Sequence, residues 1–268
     1  MASIRRSGRG EGAAPALIGG LAVAAVAFLA LPPVALALRA PWHAAAAQLS
    51  DPAVLDALRL SLVVSTAALA LSLAFGAPLA WVLARASLRG LAVVRALVIV
   101  PMVLPPVVAG VALLTAFGRR GVAGAALERL GLTLPFSTTG AALAAAFVSA
   151  PFLVVALEAG LRSAGRDLED AAATLGASRA RILWTVTLPS VAPSLAAGAA
   201  LCWARALGEF GATVTFAGNL RGRTQTAPLA VYEELQTGDP DGAVLVSLVL
   251  LAISVAVVAA LRGRLFAR

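Results

Sequence analysis

An arginine and a glutamate four residues apart, Arg205 and Glu209, stand inside the apolar stretch ARALGEFGATVTFAG at residues 204–218. On a helix, positions i and i+4 share a face, so the two can neutralise each other where lipid surrounds them. Such a pair can serve as an internal brace, as an anion contact through the guanidinium, or as a proton site through the carboxylate. The rest of the reactive inventory is short. Cys202 and His43 are each alone in the chain, so neither a disulfide framework nor a Cys/His metal cluster can be drawn from them. All 21 basic residues are arginines. Without lysine there is no P-loop, whose lysine holds nucleotide phosphates, and no Schiff-base chemistry. If ATP drives this protein, another polypeptide binds it. No residue is assigned a catalytic or metal-binding role.

The elements that must position Arg205 and Glu209 are membrane spans. The 268 residues are 60% hydrophobic and only 13% charged, with a mean hydropathy of +0.94. Soluble domains carry about 25% charged residues. The apolar residues fall in runs long enough to cross a hydrocarbon core, and six spans are read at 14–38, 57–84, 93–117, 139–160, 191–216 and 243–261. An N-terminal tail (1–13) and a C-terminal tail (262–268) flank this single all-α domain. With both termini inside, cytoplasmic segments hold thirteen arginines and external ones seven, the asymmetry of the positive-inside rule. The net charge of +8 therefore expresses topology, and its scatter among spans excludes a nucleic-acid binder. The first span ends in VALALRA, which resembles a cleavage site, but its apolar run exceeds that of a signal peptide. It is read as an uncleaved helix.

Three features give the spans detail. Pro101, Pro105 and Pro106 break the third span, and such breaks face protein or a water-filled cavity. Small residues dominate spans four and five, allowing close helix approach. The connection at about 161–190, LRSAGRDLEDAAATLGASRARILWTVTLPS, is polar, amphipathic and on the cytoplasmic side. DLEDAAATL reads as a short helix with acids in its first turn, and Gly176 permits a sharp turn. RARILWTVTLP reads as a second short helix ending at Pro189. A projecting helix–Gly–helix suits docking in a partner's groove.

On these residues the chain resembles a family. Asp170, Ala171, Ala172, Gly176, Val186, Leu188 and Pro189 follow the spacing of the EAA loop of ABC importer permeases, Glu-Ala-Ala-x3-Gly-x9-Ile-x-Leu-Pro. Asp170 replaces the glutamate and Val186 the isoleucine, while Glu169 next door could supply the acid. VPMVLPPVVAG, FGRRGVAG, FSTTGAALA, RALGEFGATVTFAGN and TAPLAVYEELQTGD extend the likeness to the molybdate permease branch, related to sulfate/thiosulfate and tungstate permeases, over roughly residues 55–265.

The resemblance implies a type I importer permease with six transmembrane helices and cytoplasmic termini, multi-pass in the inner or plasma membrane of a bacterium or archaeon. It implies a homodimer, two cytoplasmic ATPase subunits carrying ATP and magnesium, and an extracytoplasmic oxyanion-binding protein, with no cofactor on this chain. The loop of Glu169 to Pro189 would couple to the ATPase. Pro105, Pro106, Arg205, Gly208, Glu209, Gly211 and Thr213 would form the gate and pathway.

Other hydroxyls near the outer end, Thr215, Ser137, Thr138 and Thr139, together with Asn219, could donate to an anion; plain capping or backbone bonding is the alternative. Arg221 and Arg223 could meet a binding protein or remain solvated. Counted along an unbroken helix from Pro193, Glu209 lies about 24 Å in, past the midplane. A glutamate would repel an anionic cargo, which favours the brace over a substrate contact. The competing functions are a sulfate, thiosulfate or tungstate permease, and an ion-gradient carrier with acids near the midplane.

Overall fold

The computed structural model describes residues 13–265. Every regular element among them is helical. In chain order these are α1 (Ala13–Leu38), α2 (Ala45–Leu49), α3 (Pro52–Leu71), α4 (Ala77–Arg85), α5 (Leu91–Val103), α6 (Pro106–Phe117), α7 (Gly124–Arg129), α8 (Thr138–Ser163), α9 (Asp167–Thr174), α10 (Arg179–Ile182), α11 (Leu188–Leu207), α12 (Gly211–Phe216), α13 (Ala227–Thr237) and α14 (Pro240–Leu265). Two five-residue π turns, Ser72–Gly76 and Leu183–Thr187, join α3 to α4 and α10 to α11. The unbroken rods Pro52–Arg85 and Arg179–Leu207 are 34 and 29 residues long.

Five rods are long and apolar enough to cross a membrane, and the pair α5–α6 makes a sixth if its bent halves form one span. The bend is 120°. It sits where the prolines predict it: Leu104 and Pro105 are extended, and Pro106 opens α6 at a position where a missing amide costs nothing.

α8 is the centre of the bundle. About two thirds of its apolar window is buried, and it packs against α3, α4, α5, α6, α11 and α12. Alanines make this possible: Ala141, Ala144 and Ala145 are fully buried, and a side chain at Gly198 of α11 would meet Ala156 Cβ at 2.9 Å. In lipid, such close backbone approach supplies the dispersion contacts that hold helices together. α1 is the opposite case: none of its apolar window is buried against the chain, and its contacts run to α14.

Two readings are corrected. Residues 191–216 are not one helix: α11 stops at Leu207, Gly208–Phe210 are non-helical, and α12 starts afresh at Gly211. Pro189 does not end a second short helix. It occupies the first turn of α11, directly after the π turn, where the turn has already displaced the α-helical hydrogen bonds that a proline would break.

Candidate functional site

The predicted gate residues meet at the junction of two broken spans. α12 lies against α6 because Gly211 lacks a side chain; a Cβ there would stand 2.4 Å from Pro106 Cβ. Ala109, Leu113, Ala144, Val148, Ala212 and Phe216 form a dry core around this contact. Pro105 and Pro106 are otherwise exposed. Gly208 is unlike Gly211: its nearest neighbour, Ala204 O, is 3.8 Å from an added Cβ.

Glu209 is 2% exposed and Arg205 keeps 30% of its side chain open. The glutamate does not ride on a helix but turns back to cap one: its Oε1 accepts from the Ala212 amide at 2.8 Å. This satisfies one of the free donors at the start of α12 and places negative charge at its positive end. Arg205 Nη2 lies 2.7 Å from Oε2, yet no N–H is aligned on that oxygen, and buried Thr213 Oγ1 is also without a partner. The pair is thus a charge contact across the α11–α12 break.

The other predicted hydroxyls are satisfied within the chain. Ser137 caps α8 through Gly140 N at 3.0 Å and shares a hydrogen bond with Thr139. Thr138 donates to Arg223 O, and Thr215 to Gly211 O. Asn219 and Arg221 both donate to Glu233 of α13.

At the other end of the bundle, α9 carries Asp167, Glu169 and Asp170 in its first turn. Gly176, at φ +82°, reverses the chain, with Gly176 N and Ala177 N bonded to Ala173 O and Ala172 O. The two acids of the motif part company. Glu169 faces the bundle, where Oε1 accepts from Arg85 Nη2 at 2.8 Å and Thr187 Oγ1 at 2.9 Å. Asp170 is exposed, as is Ala171. Ala172, Val186 and Leu188 are half-buried, and Pro189 is exposed.

The spacing argument missed three apolar side chains here. Leu168, Leu175 and Trp184 are 65%, 89% and 69% exposed, a surface that water does not favour. Their apolar identity beside a polar helix was the available signal. Between this segment and α4 opens a cleft of about 1070 Å³, lined in part by Trp81, Arg85, Arg166, Glu169, Arg179 and Trp184.

No cluster of metal-ligating side chains occurs among the described residues. A bundle of membrane-spanning helices, two of them broken, with a projecting helix–Gly–helix marks a class: the membrane component of a transporter. The chain belongs to the family of binding-protein-dependent transport system inner membrane components, whose match spans residues 72–268.

Its relatives include the molybdenum transport system permease protein ModB of Mycobacterium tuberculosis, 46% identical over 91% of this chain and 92% of that one. ModB of Escherichia coli K12 is 44% identical over 74% and 88%. A sulfate transport system permease protein, CysT of Salmonella typhimurium, is 36% identical over 76% and 74%. In three dimensions the chain resembles one from a bacterial alginate ABC transporter, solved in complex with an alginate pentasaccharide-bound periplasmic protein. There the TM-score is 0.74 at 17% identity, over 93% of both chains. The likeness covers the fold. The chain is a multi-pass permease subunit of the bacterial inner membrane.

Proposed function

We propose that two copies of this chain form the alternating-access pathway of an ATP-driven importer for a tetrahedral oxyanion, molybdate. The observation that carries the substrate is the 46% identity, over 91% of this chain, to relatives named for molybdenum transport. Sulfate-named relatives stand at 35–38%. In this reading the termini are cytoplasmic and ATP and magnesium reside on two separate ATPase subunits. A binding protein delivers the anion from outside. This chain needs no cofactor and makes no covalent bond. Its task is to offer two packings separated by a few kcal/mol, which the ATPases bias.

Asp170, Ala171, Ala172 and Gly176, with the exposed Leu168, Leu175 and Trp184, form the ATPase-docking surface, and Glu169, Val186, Leu188 and Pro189 join it to the bundle. Pro105, Pro106, Gly208, Gly211 and Thr213 belong to the gate, with Arg205 and Glu209 as its brace. The test is reconstitution of the permease with its ATPase and binding protein in liposomes. ATP-dependent molybdate uptake, resisting competition by equimolar sulfate, is the expected result. Uptake that persists without the ATPase would overturn the reading in favour of an ion-gradient carrier.

A substitution at Gly176 checks the docking surface. A β-branched residue in a left-handed conformation costs about 1–2 kcal/mol, while nothing lies within 4 Å of an added Cβ, so the cost is conformational. Gly176→Val is expected to lower the thermal unfolding of the bundle by a few degrees at most, about 2–4 °C for each kcal/mol that the turn does not relieve locally. Recovery of the ATPase in co-purification is expected to fall several-fold.

A further inference from the structure

The cytoplasmic end of α4 is a junction. A helix leaves its last four carbonyls unpaired, and two of those of α4, Leu83 O and Arg85 O, are met by arginines from three other segments. Arg95 of α5 and Arg162 of α8 donate to Leu83 O at 2.7 and 3.1 Å, and Arg166, just before α9, donates to Arg85 O. Arg95 and Arg162 also share Glu158 Oε1, at 2.7 and 3.0 Å. Positive charge at a helix C-terminus is favourable, and the forked guanidinium can hold a carbonyl and a carboxylate together. Arg85 itself completes the junction by reaching Glu169, with side-chain exposures of 10% and 19%.

We infer that Arg85 and Glu169 form a rigid strut that transmits displacement of α9 into α4, so that the two acids of the coupling segment divide the work: Asp170 faces the ATPase and Glu169 faces the membrane domain. This rests on the permease reading above. Two observations carry it. Glu169 is occupied on the inside by both Arg85 and Thr187, which leaves the exposed Asp170 to meet a partner. Nor is α11 the only mechanical link out of the coupling segment. It continues the chain through the Leu183–Thr187 turn, whereas the strut bridges 84 residues to a different span, the α3–α4 rod. A push on α9 is therefore delivered to both walls of the cleft at once. Arg85 and Glu169 are positioning residues; neither touches cargo or nucleotide.

The test uses the complete transporter in proteoliposomes, measuring molybdate taken up per ATP hydrolysed and ATPase recovered on purification. Arg85→Glu and Glu169→Arg, each alone, are expected to keep the ATPase bound while uptake per ATP falls about tenfold, within the usual range of coupling between sites. The double exchange R85E/E169R restores the opposite-charge contact and should bring uptake per ATP back to within about threefold. Asp170→Asn should reduce ATPase recovery instead.

In case the charge reversals do not fold, R85C/E169C provides a second measurement, since Cys202, the native cysteine, is buried. Bridged by a short dithiol-reactive cross-linker, this variant should still transport, because a strut moves as one piece. Transport blocked by the bridge, or no recovery in a well-folded double exchange, overturns the inference. So does loss of the ATPase from Glu169→Gln but not from Arg85→Gln, which would make Glu169 a ligand of the ATPase. If the unmodified complex shows no ATP-dependent uptake, the functional reading fails and not the strut.

Discussion

Replacing Glu209 with alanine is expected to cost more than any other single substitution in the gate. The change removes the acceptor of the Ala212 amide and strips Arg205 of its counter-ion. It also leaves a void at a position that is 2% exposed. A lost hydrogen bond to a charged group costs about 1.5–3 kcal/mol, and an orphaned buried charge more. Because Arg205 keeps part of its side chain open, a total of about 3 kcal/mol is the expected order. Thermal unfolding in detergent should show a drop of several degrees, with transport reduced to near background. Glu209→Gln keeps an acceptor for Ala212 but loses the charge, so it should fall between alanine and the native protein. A Glu209→Ala variant with native unfolding and transport would dissolve the brace.

Gly211 and Gly208 make a matched pair. Both flank Glu209, yet only Gly211 touches another span, so they separate close packing from glycine flexibility. Gly211→Val drives carbon atoms into Pro106, whose Cβ is 2.4 Å from the site of a new Cβ. Overpacking costs typically 1–3 kcal/mol, and both sides of the contact are backbone-bound, leaving no rotamer to absorb it. Transport should fall at least about tenfold, since each 1.4 kcal/mol against one packing shifts its population tenfold. Gly208→Ala, by contrast, meets nothing nearer than 3.8 Å and has an ordinary negative φ of −88°. Its stability should stay level or rise by a few tenths of a kcal/mol through the unfolded state. Equal loss in both variants would show that flexibility, not contact, is what matters there.

Much of this was legible beforehand. Hydropathy runs located the spans because a bilayer imposes length and apolarity on anything that crosses it. Pro101, Pro105 and Pro106 announced a broken third span, since missing amides act locally. The Gly176 turn could be read from spacing, because a left-handed residue after a short amphipathic helix has few alternatives.

What stayed hidden was non-local. The apolar run 191–216 carries no proline near 208, and its two glycines there, Gly208 and Gly211, are each tolerated in a helix at about 1 kcal/mol, so they mark the break before α12 only weakly. It arises from the packing of α12 on α6 and from Glu209 bending back to cap it. Pro189 misled because its usual meaning assumes an ordinary helix upstream, and the π turn supplies a different one. Glu169 and Arg85, far apart in sequence, could be paired only in three dimensions. Asp170 and Glu169 are neighbours of the same charge, and only the fold separates them: Glu169 is held by Arg85 and Thr187 while Asp170 stays exposed.

The π turns have a bearing on how such chains diverge. Each is, in effect, one extra residue accommodated without breaking the rod. Removing any one residue from Leu183–Thr187 would let the backbone close into a regular helix. Because the wide turn absorbs the extra residue, α11 from Leu188 to Leu207 would stay close to its present facing, with its packed side still on α8. The same deletion a turn or more into α11 has no surplus residue to remove, and it would rotate everything beyond it by about 100°, swinging that side toward lipid. Single-residue deletions are therefore expected to be tolerated within this five-residue window and excluded from the regular helix that follows it.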